Sequence, residues 1–94
     1  MLFDPVECGI RIRELRKRKN MTQAKLAEEL NVYSKYISKI ERGATASIDL
    51  FVQIAEFFEV STDYLLLGET RNTHKVKTQL QTAINLLQEI NKTI

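Results

Sequence analysis

The chain has 94 residues, of which 44% are apolar and 28% charged, with a net charge of +2 and a single cysteine, Cys8. This composition is typical of a soluble globular protein, and the length suits one compact domain with one appended element. No apolar run approaches the ~20 residues of a membrane helix. The first residues, MLFDPVECGI, lack the basic and apolar regions of a signal peptide, so we expect a cytoplasmic protein.

The charge is unevenly distributed along the chain. Residues 1–42 hold ten Lys or Arg against six Asp or Glu, which gives +4, whereas residues 43–94 hold four against six, which gives −2. A basic first half suits a protein that approaches a polyanion. A charge of +4 is nevertheless mild for purely electrostatic binding to nucleic acid, so shape and specific contacts must contribute as well.

The first predicted helix runs from about Pro5 or Gly9 to Lys19. Its apolar residues recur at helical spacing: Cys8, Ile12 and Leu15. Asp4 and Glu7 have the spacing of a capping box at its start. Cys8 has no base nearby that would activate a thiol, and we therefore expect it to be a small apolar residue rather than a nucleophile.

Two short helices with a two-residue break follow. Thr22 is a typical N-cap for a helix over 23–30, and a third helix is predicted from about Ser34 to Arg42, ending at Gly43. Asn31 stands where the chain must turn with positive φ, which asparagine tolerates better than most residues.

The corner between these helices has a characteristic spacing. Ala27 is the small residue expected where two short helices cross nearly at right angles, and Val32 is expected to fill the corner. Ile37 would bury the third helix against this corner. The segment 22–43 is therefore predicted to be a compact pair of helices.

A fourth helix is predicted after Ser47, and a fifth, short helix between Ser61 and Gly68. The apolar residues of the fourth are Ile48, Phe51, Ile54, Ala55 and Phe58, and those of the fifth are Tyr64, Leu65 and Leu66. No strand signal is present, so the fold class is predicted to be all-α. The polar residues 69–75 are predicted to be a linker.

A helical wheel through residues 33–42, at 100° per residue, separates two faces. The apolar face holds Tyr33, Tyr36, Ile37 and Ile40, and the opposite face holds Ser34, Lys35, Ser38, Lys39 and Arg42. No carboxylate shares the polar face. A solvated polar helix face would explain this composition equally well if it were considered alone.

The C-terminal residues 76–94 are predicted to form an amphipathic helix. Its apolar residues alternate spacings of four and three: Val76, Leu80, Ala83, Leu87, Ile90 and Ile94. This is a heptad seam, which favours pairing with a second copy in a homodimer. Ile84 and Leu86 widen the stripe, so packing of the same stripe within one chain is the alternative.

Four stretches together resemble the lambda-repressor-like helix-turn-helix family of Cro and XRE-type transcriptional regulators. They are IRELR at 12–16, TQAKLAEELNV at 22–32, YISKIERG at 36–43 and IAEFFEVSTDYLL at 54–66. The resemblance implies a five-helix DNA-binding domain, here residues 1–68, with the helix-turn-helix at 22–43. Three departures are noted: Asn31 replaces a turn glycine, Tyr33 a capping serine, and Ala46 a frequent proline.

The resemblance and the wheel together assign expected roles. The residues expected to contact bases are Tyr33, Ser34, Lys35, Ser38, Lys39 and Arg42. The residues expected to contact phosphates are Lys17, Lys19, Thr22, Gln23, Thr45 and Ser47. The resemblance further implies a structural ion pair between Arg16 and Glu41.

The functional hypothesis is a transcriptional regulator, favoured as a repressor, that binds a pseudopalindromic site on double-stranded DNA as a homodimer. The alternative is a protein-interaction module, such as an antitoxin-like protein, an adaptor or a restriction-system controller, whose C-terminal helix binds a partner protein. The sequence shows no enzyme motif, metal site, cofactor site or effector pocket, and its sole histidine, His74, lies in the predicted linker.

Overall fold

A computed structural model describes residues 2–68 and 82–90. The bounds of its five N-terminal helices are α1 Pro5–Arg18, α2 Gln23–Leu30, α3 Ser34–Glu41, α4 Ile48–Phe58 and α5 Thr62–Leu67. Residues 82–90 are also helical, and the described residues contain no strand. The predicted all-α fold is thus confirmed. The predicted linker 69–75 and the stripe residues Val76, Leu80 and Ile94 lie outside the described residues.

Side-chain caps fix where the helices begin. Asp4 accepts hydrogen bonds from the backbone N–H groups of Val6 and Glu7, at 3.0 and 3.3 Å, so α1 starts at Pro5 rather than at Gly9. Three more caps are seen, each accepting from the backbone N–H three residues on: Thr22, Ser47 and Ser61. Such a cap stabilises a helix by about 1 kcal/mol.

The corner between α2 and α3 has the predicted left-handed turn. Asn31 adopts φ 57° and ψ 45°. The N–H of Val32 donates to the carbonyl oxygen of Ala27 at 2.9 Å, which closes the end of α2. Ala27 is buried, and Val32 packs partly buried against the core. The short turn therefore fixes α3 relative to α2.

All five N-terminal helices contribute to one core. Its fully buried members are Cys8, Ile12, Leu26, Ile37, Ile40, Ile54 and Leu65. Tyr36 is only partly buried at its edge. Ile48, at the first position of α4, is 80% exposed and lies at the rim of an apolar hollow of about 270 Å³ instead of in the core.

The grouping of Tyr33 with the apolar face of α3 was wrong, because its side chain is 87% exposed. Tyr33 is the N-cap of α3 and has extended backbone angles, φ −75° and ψ 141°. A rotation of 100° per residue applies only inside a helix, so the wheel does not describe the residue before it. The exposure places Tyr33 beside the polar residues of α3.

The described residues form neither a membrane-spanning helix nor a cluster of metal-ligating side chains. Within residues 2–68 and 82–90, no helix is long and apolar enough to cross a bilayer. The same residues contain no group of three or more His, Cys, Asp or Glu side chains that could hold a metal ion.

Candidate nucleic-acid interface

Burial of the apolar face of α3 in the core turns the opposite, polar face towards solvent. Ile37 and Ile40 are almost completely buried, which fixes the rotation of the helix about its axis. We name the opposite face the recognition surface, and its residues are Tyr33, Ser34, Lys35, Ser38, Lys39 and Arg42. All of these are exposed except Ser38, which is half-buried.

The recognition surface carries three cations and no carboxylate. The N-cap residue Tyr33 makes no side-chain hydrogen bond to the first turn of α3. At the other end, Arg42 Nε donates to the carbonyl oxygen of Ser38 at 3.3 Å, so this guanidinium lies along its own helix. Lys35 and Lys39, the other two cations of the surface, are both exposed.

The carboxylate of Glu41 is turned away from this surface and is buried. Arg16 binds it with two hydrogen bonds, from Nε to Oε2 at 2.7 Å and from Nη2 to Oε1 at 3.0 Å. This hydrogen bonding raises the pKa of Arg16 above its ordinary value, although burial opposes the shift. Glu41 is the only acidic residue of α3. Because its charge is buried and paired with Arg16, it adds little negative potential at the recognition surface.

The ion pair also connects three elements of the fold. Arg16 Nη1 donates to the carbonyl oxygen of Met21 at 2.7 Å, in the turn before α2. Gln23, the first residue of α2, donates from Nε2 to Glu41 Oε1 at 3.1 Å. The amide of Gln23 is therefore held at the start of α2, next to the end of α3.

The other residues predicted to contact phosphates are divided between two regions. Thr22, Thr45 and Ser47 are exposed, the last two in the loop that follows α3. Lys17 is exposed on α1. The Nζ atom of Lys19 lies 5.1 Å from the ring centroid of Phe57, at the C-terminal end of α4. Because α4 has 11 residues, this end is ~16 Å from Ser47 along the helix axis.

Sequence reasoning missed two contacts of this region. The Gln23–Glu41 hydrogen bond joins residues 18 positions apart, a separation at which no helical periodicity gives a signal. The ring of Phe3 packs edge-on against the ring of Phe51, with centroids 5.7 Å apart. Phe3 precedes α1, so neither a helix nor a strand pattern covers it.

The described part of the C-terminal stripe is exposed. Ala83, Leu87 and Ile90 are exposed, as are the neighbouring residues Ile84 and Leu86. The exposed fractions of the four large residues lie between 46% and 62%. About half of each of these side chains is therefore accessible at the surface of the helix over 82–90.

These features define a class of protein. Two eight-residue helices are joined by a left-handed turn, and the second presents a cationic surface while its apolar face is buried. This arrangement is a helix-turn-helix.

Comparison with known proteins agrees with this class. The sequence model of the helix-turn-helix family matches residues 12–65. The chain is 33% identical over 87 residues to the HTH-type transcriptional regulator ImmR of Bacillus subtilis (strain 168), which covers 92% of this chain and 61% of that protein. It is 40% identical over 65 residues to the HTH-type transcriptional activator BcrR of Enterococcus faecalis, which covers 68% of this chain and 32% of that protein. The chain thus spans about three fifths and one third of the lengths of these relatives. It belongs to the helix-turn-helix family.

Three solved structures are similar to this chain. The P22 c2 repressor in complex with a synthetic operator is 33% identical, with a TM-score of 0.62 over 66% of this chain and 96% of that one. The restriction-modification controller protein C.AhdI from Aeromonas hydrophila is 29% identical, with a TM-score of 0.60 over 65% of this chain and 94% of that one. A chain of the SinR protein/SinI protein complex is 30% identical, with a TM-score of 0.60 over 82% of this chain and 78% of that one.

Proposed function

We propose that the chain is a sequence-specific transcriptional regulator that binds double-stranded DNA by placing α3 in the major groove. The observation that carries this proposal is the recognition surface, which is cationic, exposed and free of carboxylates on a helix whose other face is buried. An α-helix fits the major groove, where base edges present distinct patterns of donors and acceptors. The likeness to a repressor solved with its operator supports the same placement.

The chemistry of the six side chains on the recognition surface suits each of them to contact bases. Lys35 can donate to guanine O6 and N7, and the hydroxyl groups of Ser34 and Ser38 can donate to or accept from base edges. The ring of Tyr33, at the exposed start of α3, offers an apolar contact to a thymine methyl group. Lys39 and Arg42 complete the set of base-contacting candidates towards the end of the helix.

Phosphate contacts are assigned to residues beside this surface. Thr22 and Gln23 lie at the start of α2, where backbone N–H groups assist binding of an anion. Thr45 and Ser47 lie in the loop after α3. Lys17 contributes from α1, and Lys19 from the C-cap position that follows α1. Because Lys19 lies over Phe57, we assign it the weakest share of the phosphate contacts.

The proposed assembly is a homodimer. A single short helix reads few base pairs, whereas a two-fold dimer presents two recognition helices about one turn of DNA, ~34 Å, apart. The exposed stripe at Ala83, Leu87 and Ile90 supports pairing through the C-terminal helix. We favour repression, because a small dimer on DNA blocks polymerase without further parts.

The decisive experiment starts from fragments of genomic DNA selected by the purified protein. Affinity for the selected duplex is then measured by fluorescence anisotropy for Lys35→Ala and for Lys25→Ala. The second variant is a matched control, because Lys25 is exposed on α2 and its ammonium lies 3.4 Å from Glu29. We expect Lys35→Ala to weaken binding about 5- to 150-fold, the value of a good base contact, and to reduce the preference for the selected sequence. Equal effects of the two variants would contradict the proposal.

A second arm tests the dimer. Leu87→Glu places a charge in the exposed stripe, so we expect sedimentation to show a monomer and affinity for the pseudopalindromic duplex to fall. A variant that keeps both the mass and the affinity of the natural chain would contradict the dimer. It would favour the alternative in which the stripe binds a different protein, as the SinR protein is seen with the SinI protein.

A further inference from the structure

Three residues spaced three apart near the start of the chain contact three successive parts of the DNA-binding region. Phe3 packs edge-on against Phe51 of α4 at 5.7 Å. Val6 lies against Gly43, where a Cβ atom would stand 3.0 Å from Val6 Cγ2. Gly9 lies so close to the end of α3 that its Cβ would stand 2.4 Å from the carbonyl oxygen of Ile40. We call Phe3, Val6 and Gly9 the brace.

The brace contacts the loop between α3 and α4, which consists of residues 42–47. Its first half is closed by backbone hydrogen bonds from the N–H groups of Gly43 and Ala44 to the end of α3. In its second half Ala46 is buried, while Thr45 and Ser47 on either side are exposed. The side chains of Phe3, Ala46 and Phe51 line one common hollow, so the brace reaches this half as well.

We infer that the brace positions this loop so that Thr45 and Ser47 meet the DNA backbone. The inference rests on the proposed DNA-binding function, and the brace residues are positioning residues that do not touch DNA themselves. A phosphate contact requires the donor to stay within a few tenths of an ångström of its place. A loop that is ordered before binding loses less conformational entropy on the duplex, and binds more tightly for that reason.

The geometry gives Val6 the central place in the brace. Gly43 adopts φ 110°, a conformation that L side chains rarely adopt, and it leaves the space that Val6 occupies. Val6 is half-exposed, at 53%, so truncating it removes a contact to the loop without opening the core. Its role can therefore be separated from overall stability.

The experiment compares Val6→Ala with Ile10→Ala in the full chain. Ile10 is a matched control, since it lies one turn further along α1 and is 41% exposed. The first measurement is amide hydrogen exchange without DNA at Gly43 and Ala44, whose N–H groups are hydrogen-bonded to the end of α3. We expect exchange there to rise about tenfold or more in Val6→Ala, to stay unchanged in Ile10→Ala, and to return to the natural rate in the conservative variant Val6→Ile.

The second measurement is the affinity for the selected duplex and for unrelated DNA, by fluorescence anisotropy. Thr45 and Ser47 are uncharged, so their phosphate contacts add affinity without sequence preference and release no counterions of their own. The loss of one such hydrogen bond weakens binding by about 2- to 10-fold. We expect Val6→Ala, and not Ile10→Ala, to lose affinity for both DNAs by about this factor, with the ratio of the two affinities and the slope of log K against log salt concentration unchanged. A variant that is merely less stable keeps the natural affinity when it is measured in conditions where it is fully folded. Phe3→Ala, which removes the contact to α4, should give the same pair of results.

Each contrary result of these two measurements has a different meaning. Unchanged exchange at Gly43 and Ala44 in Val6→Ala would show that the brace does not order the loop. Faster exchange with unchanged affinity would show that the loop makes no phosphate contact, which overturns the inference and leaves the proposed function standing. Absence of salt-dependent binding by the natural chain would instead overturn the proposed function, and the inference with it.

Discussion

Arg16 and Glu41 form a buried, two-bonded ion pair between α1 and α3, with distances of 2.7 and 3.0 Å. Their side chains are 10% and 3% exposed. The pair fixes the end of the proposed recognition helix to the first helix of the domain. The carboxylate of Glu41 also accepts a hydrogen bond from Gln23. The end of α1, the start of α2 and the end of α3 therefore meet at this one carboxylate.

Removing one partner of this pair is expected to destabilise the fold strongly. In Arg16→Met, the carboxylate of Glu41 is left buried with only the amide of Gln23 to bind it. We expect the free energy of unfolding, measured with urea, to fall by about 3–5 kcal/mol. Lys25→Ala breaks exposed ion pairs with Glu28 and Glu29, and its effect is expected to stay within about 1 kcal/mol. Similar losses in the two variants would contradict the buried character of the pair.

Gly9→Ala tests how closely α1 and α3 approach each other. Helix propensity alone would favour alanine by about 1 kcal/mol. The added Cβ, however, would stand 2.4 Å from the carbonyl oxygen of Ile40 and 2.8 Å from that of Glu41, both backbone atoms that cannot rotate away. The helices must separate, which costs about 1–3 kcal/mol or more. We therefore expect a net loss of stability in urea unfolding, and a gain would contradict the close contact.

Much of the fold follows from local signals in the sequence. Thr22, Ser47 and Ser61 each begin a helix as predicted, because a capping hydroxyl and the N–H it binds are three residues apart. The left-handed turn at Asn31 is equally local. The periodicity of α4 and α5 placed Phe51, Ile54, Phe58 and Leu65 correctly in the core.

The candidate site could be predicted only in part. The exposed polar face of α3 follows from its periodicity, but the exposure of Tyr33 does not, since Tyr33 precedes the helix. The donation from Gln23 to Glu41 depends on how α2 and α3 are packed, and the position of Phe3 depends on where Phe51 lies. Contacts of this kind are set by tertiary structure and leave no periodic trace.

Glycine substitutions at two left-handed positions should differ in effect. Asn31 and Glu59 both have φ 57° and both end a helix. Asparagine tolerates this conformation, whereas glutamate is strained in it. We expect Glu59→Gly to raise the free energy of unfolding by about 0.5–1 kcal/mol, and Asn31→Gly to change it by less than about 0.5 kcal/mol, because relief of strain is offset by the greater freedom of the unfolded chain. Equal changes in thermal unfolding would contradict this difference.

The buried thiol of Cys8 should make the protein sensitive to alkaline pH. Burial raises the pKa of Cys8 above its ordinary value of 9.0, and the charge of Arg11 only partly opposes this shift. The folded protein therefore keeps the proton at a pH where the unfolded chain has lost it. The stability from this group is fully present below about pH 9 and is lost as the pH rises through the folded value.

The measurement is the free energy of unfolding of the natural chain and of Cys8→Ala between about pH 8 and about pH 10.5. The two proteins differ only at position 8, so the difference between the two curves isolates Cys8. We expect the natural chain to lose stability more steeply over this range, and parallel curves would contradict the raised pKa.

The same burial should make the thiol react slowly with aromatic disulfides at neutral pH, at a rate that rises when urea unfolds the domain.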